Sequence, residues 1–383
     1  MKIQVERDVL AEAVAWTARA LPARPAVPVL AGIRLQAAAA LTLSSFDYDV
    51  SAQARVPVEA EEEGEALVSG RLLAEITRSL PARPVEITTD GARATLTCGS
   101  ATFTLLTMPT EDYPSLPEMP PPAGSIGSDA FASAVGQSAT AAGRDDTLPA
   151  LTGIRVEIEG DTLTLISTDR YRLAVRELRW NPSRPDLSAA VLVPARALAE
   201  TARALTSGAE VSIALALPGD TAGDGGQPVG GDGMIGFEGG GRRATTRLLG
   251  GEFPRHQNLL PKSVSSVAEM STPLLSEAVK RVALVAERNT AVRLAFSTGQ
   301  LVLEAGTGEE AQAVEVLEAS YDGDDLSIAF NPSYLLDGLT AIDSDTVRMS
   351  FTEPGKPALI TGKRDPDGQP DYRYLLMPIR LGG

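Results

Sequence analysis

Side chains able to do covalent or acid–base chemistry are scarce in this chain. Its 383 residues include one cysteine, Cys98, and one histidine, His256. A structural zinc site needs about four such ligands, and a histidine-based nucleophilic triad would have to rest on His256 alone. Carboxylate pairs such as Asp145 with Asp146, or Asp47 with Asp49, have the spacing for general acid–base work. Among 50 acidic residues, however, such pairs arise by chance, and no orienting base or metal partner accompanies them. The stretch 218–233, PGDTAGDGGQPVGGDG, has the composition of a phosphate cradle. It lacks the Gly-Lys-Ser/Thr ending and the helix that would follow, so it reads as a mobile surface loop. The sequence points away from an enzyme, and neither a cofactor nor a metal is expected.

The arginines are more informative. Arg71 and Arg78 are seven apart, two helical turns, and so share a helix face. Arg196 and Arg203 repeat that spacing 125 residues further on. Glu75 and Glu200 lie between them, so a solvated charged face would look the same. Arg24, Arg144, Lys280 and Arg281 are further basic candidates. The net charge of −16 opposes general attraction of polyanions, but local binding depends on where the positive residues sit.

Both arginine pairs belong to a stretch that the chain writes three times: LVSGRLLAEITRSL at 67–80, VLVPARALAETARAL at 191–205 and IAFNPSYLLDGLTAI at 328–342. Each copy is an apolar strand end, a break at a small residue or proline, and an amphipathic helix. Aligned on Val68, Val193 and Phe330, the copies are 125 and 137 residues apart, roughly a small domain each. Three domains follow, at 1–120, 121–252 and 253–383. Helical spacing predicts helices over 7–21, 71–80, 129–142, 194–205, 272–287 and 332–342, two per domain, with strands between them. Residues 29–35 and 46–58 are among the predicted strands. The proline-rich run 109–122, PTEDYPSLPEMPPP, predicts an extended linker. The fold class is α+β, with two helices packed on antiparallel sheets in each domain. No apolar run reaches the roughly 18 residues of a membrane span. The N-terminal MKIQVERDVL is too interrupted by charge to be a signal peptide, and a single cysteine fits a reducing cytoplasm.

Four segments, LPARPAVPVLAGIRL (21–35), LISTDRYRLAV (165–175), FPRHQNLLP (253–261) and LLMPIRL (375–381), resemble the bacterial DNA polymerase III sliding clamp, or β subunit, family. The resemblance covers the whole chain, and the Ala, Arg and Gly bias resembles members from high-GC actinobacteria. It implies the DNA clamp fold: three clamp domains per chain and a head-to-tail homodimer forming a six-domain ring around duplex DNA. It also implies a processivity factor without catalytic activity. Arg24, Arg71, Arg78, Arg144, Arg196, Arg203, Lys280 and Arg281 would face the DNA, touching phosphates without reading bases. At the dimer seam Phe103 and Leu105 would meet Leu284 and Val285 of a second copy, although such apolar residues equally suit an ordinary core.

The resemblance further implies one cleft that takes short hydrophobic peptides from the clamp loader, polymerases and repair proteins, and cyclic-peptide inhibitors. Leu151, Thr168, Arg170, Tyr171, Arg172 and Leu173 would belong to it. Pro254, Asn258, Leu259, Met377, Pro378, Ile379 and Arg380 would belong to it as well. Arg170 stands where many members carry a small residue, and Asn258 where a basic one is common. The alternative within this fold is a specialised or inhibitor-resistant paralogue of the clamp.

Overall fold

A computed structural model of the chain describes residues 1–206, 208–217, 233–261, 263–286, 290–306, 311–353, 355–363 and 371–380. The glycine-rich stretch expected to be a mobile loop lies, but for Gly233, outside the described residues. Within them are six α-helices: α1 (Arg7–Thr17), α2 (Gly70–Ser79), α3 (Ser128–Ala139), α4 (Ala195–Ala204), α5 (Thr272–Val282) and α6 (Pro332–Thr340). All six predicted helices are present. α1 and α5 are shorter than their apolar stripes suggest, because both tighten into 3-10 turns, Ala18–Ala20 and Ala283–Val285. α6 starts sharply. Pro332 occupies its first turn, and the Asn331 side chain accepts the amides of Ser333 and Tyr334 at 2.9 and 3.2 Å, satisfying donors that a helix start leaves unpaired.

The described chain forms two compact units, and the second repeat is divided between them. The first comprises Met1–Ala132, Trp180–Leu187 and Ala197–Leu248. Its antiparallel sheet of 14 strands is made continuous by strand Arg242–Arg247 of the second repeat pairing with Val50–Val56 of the first. α1 lies on this sheet through Leu10, Ala13, Val14 and Trp16, all buried. Trp16 donates its indole N–H to the Gln53 carbonyl at 2.9 Å. The guanidinium groups of Arg19 and Arg242 flank the same ring at 6.0 and 5.9 Å.

Two sequence expectations fail here for local reasons. Pro28–Ala31 is a 3-10 turn, and the strand begins only at Gly32, since proline at the start fixes a helical φ. The run 46–58 is broken by a turn at 47–49, where Asp47 accepts the amides of Asp49 and Val50. The proline-rich run has no helix or strand before Pro122, as an extended linker would, and it is packed onto the unit. Tyr113 is buried against Leu30, Phe46 and Leu67, and burial pushes its hydroxyl up to about 12. Strand Pro122–Gly127, rich in residues that strands usually avoid, was hidden by that composition. Gly124 is needed there, because a Cβ would fall 2.4 Å from the Asn181 carbonyl of the neighbouring strand.

The second unit comprises Ser133–Arg179, Ser188–Arg196 and Leu249–Gly383. Its larger sheet has nine strands and its smaller one four. In the larger sheet, Arg172–Arg179 of the second repeat pairs directly with the last strand, Tyr372–Leu376, with Leu173 opposite Leu375. α5 and α6 cover an apolar core that includes Leu275, Val279, Leu335, Leu339, Phe351 and Tyr374. Gly338 lets α6 approach this core closely: a Cβ there would stand 2.4 Å from the Tyr374 ring. Gly338→Ala is expected to lower stability by about 1–2 kcal/mol, since overpacking costs roughly 1–3 and helix propensity returns only about 1. A urea midpoint at or above wild type would show that α6 does not depend on this approach.

Candidate functional site

The site grows from one tight turn. Strands Thr162–Thr168 and Arg172–Arg179 are neighbours, and the residues 169–171 between them are fixed by side-chain hydrogen bonds. Asp169 Oδ1 accepts the backbone N–H of Tyr171 and of Arg172 at 3.0 and 3.1 Å. Thr168 Oγ1 donates to the Arg172 carbonyl at 2.7 Å and accepts the Arg170 N–H at 3.2 Å. The turn holds Arg170 at φ 79°, a left-handed conformation that costs a residue with a Cβ about 1–2 kcal/mol.

Arg172 is 7% exposed. Its Nε donates to Asp169 Oδ2 at 2.9 Å and its Nη1 to Asp337 Oδ2 at 2.5 Å, with Tyr374 OH at 3.4 Å. The guanidinium also lies over the Tyr334 ring, 4.3 Å from its centre. Burial works against the charge, but the Asp337 hydrogen bond, Tyr374 and Asp169 outweigh it and hold the proton more tightly than in free arginine. Tyr374 in turn donates to the Tyr334 carbonyl at 2.8 Å. Its hydroxyl pKa is raised, by burial first, against the opposing pull of Arg172.

Around this network is a cavity of about 810 Å³. Of the residues expected in a peptide cleft, Leu151, Arg170, Tyr171 and Arg172 line it. Thr168 and Leu173 lie beneath, 5% and 2% exposed. Leu173 packs with Ile166, Leu192, Phe253 and Leu375 and so supports the wall from behind. Met377 follows the last strand and donates its backbone N–H to the Tyr171 carbonyl at 2.9 Å, which places it at the cavity's edge. Met377 and Ile379 are 43% and 36% exposed, Arg380 is exposed and Pro378 is half-buried. Pro254, Asn258 and Leu259 are exposed outside the cavity, in a segment anchored by buried Phe253.

Sequence reasoning missed most of the wall. Asp169, Leu148, Ser333, Tyr334 and Asp337 line the cavity, the last three brought by α6. Tyr171 and Tyr334 stack, with ring centres 6.2 Å apart. An aromatic and an acid in the first turns of the third repeat's helix were the available hint. Arg144, expected to face DNA, lines this cavity, as does Asp145. Asp145 Oδ1 accepts from the Thr147 hydroxyl and amide at 2.6 and 3.0 Å. Those bonds, with a smaller contribution from the Arg170 charge, hold its carboxyl below the usual range.

The remaining basic residues are all on the surface. Arg24, Arg71, Arg78, Arg196 and Arg203 are exposed. Lys280 and Arg281 are exposed too, with Lys280 pairing with Glu277 at 2.8 Å and Arg281 with Glu315 at 2.6 Å. Among the apolar residues expected at a dimer seam, Phe103 is 37% and Leu284 84% exposed, and Val285 is half-buried. Leu105 is turned inward at 7%, whereas its neighbour Leu106 is 73% exposed. Among the described residues, no cluster of His, Cys, Asp and Glu has the arrangement of a metal site, and no helix is long and apolar enough to cross a membrane.

Comparison with known proteins gives full-length agreement. Residues 1–117, 125–255 and 257–380 match the N-terminal, central and C-terminal domains of the DNA polymerase III beta subunit. The chain is 60% identical to the beta sliding clamp of Streptomyces coelicolor and 44% identical to the beta sliding clamp homolog GriR of Streptomyces muensis, each over 100% of both chains. Among solved structures, a sliding clamp from Pseudomonas aeruginosa bound to griselimycin is 30% identical, with a TM-score of 0.87 and 100% of both chains covered.

Arg172→Ala is expected to lower unfolding free energy by about 2–3 kcal/mol, because it strips charge-assisted hydrogen bonds from partly buried carboxylates. Asp337→Asn, at a side chain 48% exposed, should cost less than about 1 kcal/mol. Urea titrations of both variants compare the two, and equal losses would mean that the Arg172 network is not what holds the turn.

Proposed function

The chain belongs to the DNA polymerase III β-subunit family, the sliding clamps that serve as processivity factors, and on that premise we propose how its surfaces are used. Two copies close head to tail into a ring around duplex DNA. The exposed Phe103 and Leu106 of one copy meet Leu284, Val285 and the outer strand Ala313–Glu318 of the other. That strand supports the reading, since it ends its sheet and exposes Val314 and Val316 at 55% and 58%, apolar surface that a monomer rarely leaves in water. Leu105 is assigned to the protomer's own core. The domain limits are 1–120, 121–252 and 253–383, and the protein works in the cytoplasm without catalytic activity of its own.

The cavity beside the 169–171 turn is the client site, and it is the observation that carries this reading. Apolar and aromatic walls with a few oriented polar groups suit short peptides with hydrophobic anchors. Polymerases, the clamp loader and repair proteins would share it, and inhibitors such as griselimycin or other cyclic peptides would compete there. Thr168 and Leu173 act from beneath, while Met377, Pro378, Ile379, Arg380, Pro254, Asn258 and Leu259 form an outer rim. Greater identity to the S. coelicolor clamp, 60% against 44% for GriR, favours the replicative clamp over a specialised paralogue.

Arg24, Arg71, Arg78, Arg196 and Arg203 contact DNA phosphates, and Arg144 serves the client cavity. Lys280 and Arg281 add a smaller share to DNA binding, because their carboxylate partners offset their charge. Binding by this set is sequence-independent and weak, so the closed ring does the holding.

Three experiments check these surfaces. The protein loaded on circular DNA should remain bound and should be released when the circle is cut. Replacing Arg71, Arg78, Arg196 and Arg203 with Ala should reduce direct DNA affinity and flatten its log–log salt dependence by about 0.9 for each phosphate that is no longer neutralised. Processive synthesis equal to wild type would remove these arginines from the DNA path. For the cavity, Tyr171→Ala with Met377→Ala should weaken a client peptide ending in Leu-Phe by about 2–4 kcal/mol, as truncation of central anchors does. Both side chains are exposed, so folding is spared, and undiminished binding by calorimetry would move the client site elsewhere.

A further inference from the structure

Resting on the reading of Arg203 as a contact to DNA phosphate, we propose that Arg242 is a positioning residue: it fixes the C-terminal end of α4 and so sets where Arg203 is presented to the duplex. The hairpin that carries Arg242 comes first. Strands Met234–Gly239 and Arg242–Arg247 pair with Gly239 opposite Arg242, which leaves Gly240 and Gly241 as a two-residue turn at φ 58° and 74°. Two successive positive φ values call for glycine. The turn is also pinned from outside. The Arg55 N–H donates to the Gly241 carbonyl at 2.9 Å, and a Cβ on Gly241 would stand 3.1 Å from the Arg55 carbonyl. Arg242 therefore leaves the sheet from a fixed point.

Its guanidinium has three engagements. Nη1 donates to the carbonyl of Ala204, the last residue of α4, at 2.8 Å. Nη2 donates to Glu12 Oε2 on α1 at 3.0 Å, and the group lies 5.9 Å from the centre of the Trp16 ring. With 18% of the side chain exposed, Arg242 is poorly placed to meet a phosphate itself. A helix leaves its last four carbonyls without intrahelical partners, and here an arginine from another segment satisfies one of them. Arg19 assists by donating to the Glu200 carbonyl at 2.7 Å. Burial lowers the pKa of Arg19, and the charges of Arg242 and Arg203 add to that against the pull of Glu200, so the three cations share one neighbourhood. α2 offers the contrast. Its end is closed from within, where the Leu80 N–H and the Ser79 hydroxyl both donate to the Ile76 carbonyl. Presentation of Arg78 therefore does not run through Arg242.

The test is a double-mutant cycle read by fluorescence anisotropy, with a short labelled duplex titrated against the full-length protein at low salt. Arg203→Ala should weaken binding by about two- to fivefold, the worth of one exposed ion pair, and flatten the log–log salt dependence by about 0.9. Arg242→Gln should weaken it by a comparable factor, although Arg242 is not the contact. Both changes act through one contact, so adding Arg242→Gln to Arg203→Ala should cost almost nothing further. Added to Arg78→Ala, it should cost the full factor. Circular dichroism verifies folding. Should Arg242→Gln fail to fold, Arg242→Lys enters the same cycle, since it keeps the charge but not the fork that spans both acceptors. Undiminished binding by the Arg242 variant overturns the positioning role. So does an Arg242 loss of equal size in the Arg203→Ala and Arg78→Ala backgrounds, because a general loss of charge or stability acts alike in both. No effect of Arg203→Ala by itself overturns the DNA-contact reading beneath it.

Discussion

A buried guanidinium must be paired, because an unpaired charge inside a protein costs several kcal/mol. Arg172 meets that requirement by drawing its partners from three separate segments: Asp169 in the turn, Asp337 on α6 and Tyr374 on the last strand. Each partner then fixes its neighbours. Asp169 orients the turn through two amides, and Tyr374 grips the Tyr334 carbonyl. Gly338 permits the close approach of helix and strand that this geometry needs. The cavity wall follows from satisfying one cation.

Rigid floor and adaptable rim are therefore different materials. The floor is held by charge-assisted hydrogen bonds and by the apolar cluster that includes Leu173 and Leu375. The rim carries exposed Met377, Ile379 and Tyr171, and methionine in particular can repack around unlike ligands. If the cavity is the client site proposed above, such a division would let the floor stay constant while the edge adjusts to unlike ligands.

A net charge of −16 conceals how differently the cations are used. Arg19 and Arg242 serve packing: they flank Trp16 and donate to backbone carbonyls, at 2.7 Å to Glu200 and 2.8 Å to Ala204. Lys280 and Arg281 are neutralised locally by Glu277 and Glu315. The repeated arginines of α2 and α4 remain exposed. Net charge alone therefore says little about where positive residues sit on an acidic protein.

Much of this was legible in the sequence because it is local. Repeats, six amphipathic helices and the paired arginines are all written within windows of a few turns, where side-chain period alone sets the answer. Of the residues that the resemblance assigns to a cleft, Leu151, Arg170, Tyr171 and Arg172 line one cavity. What the sequence by itself left open is which apolar residue is wall and which is core. Leu105 and Leu106 are adjacent and chemically identical, yet one is buried and the other exposed. Leu173 reads like a groove residue and proves to be packed behind one. Tyr334, Asp337 and Arg144 are seen to line the same cavity only once the chain is folded. Arg172 and Asp337 are 165 residues apart in sequence, and no periodicity encodes a meeting over that distance. Tertiary structure decided it, because the energy of pairing a buried charge appears only when the segments that carry the partners have been brought together.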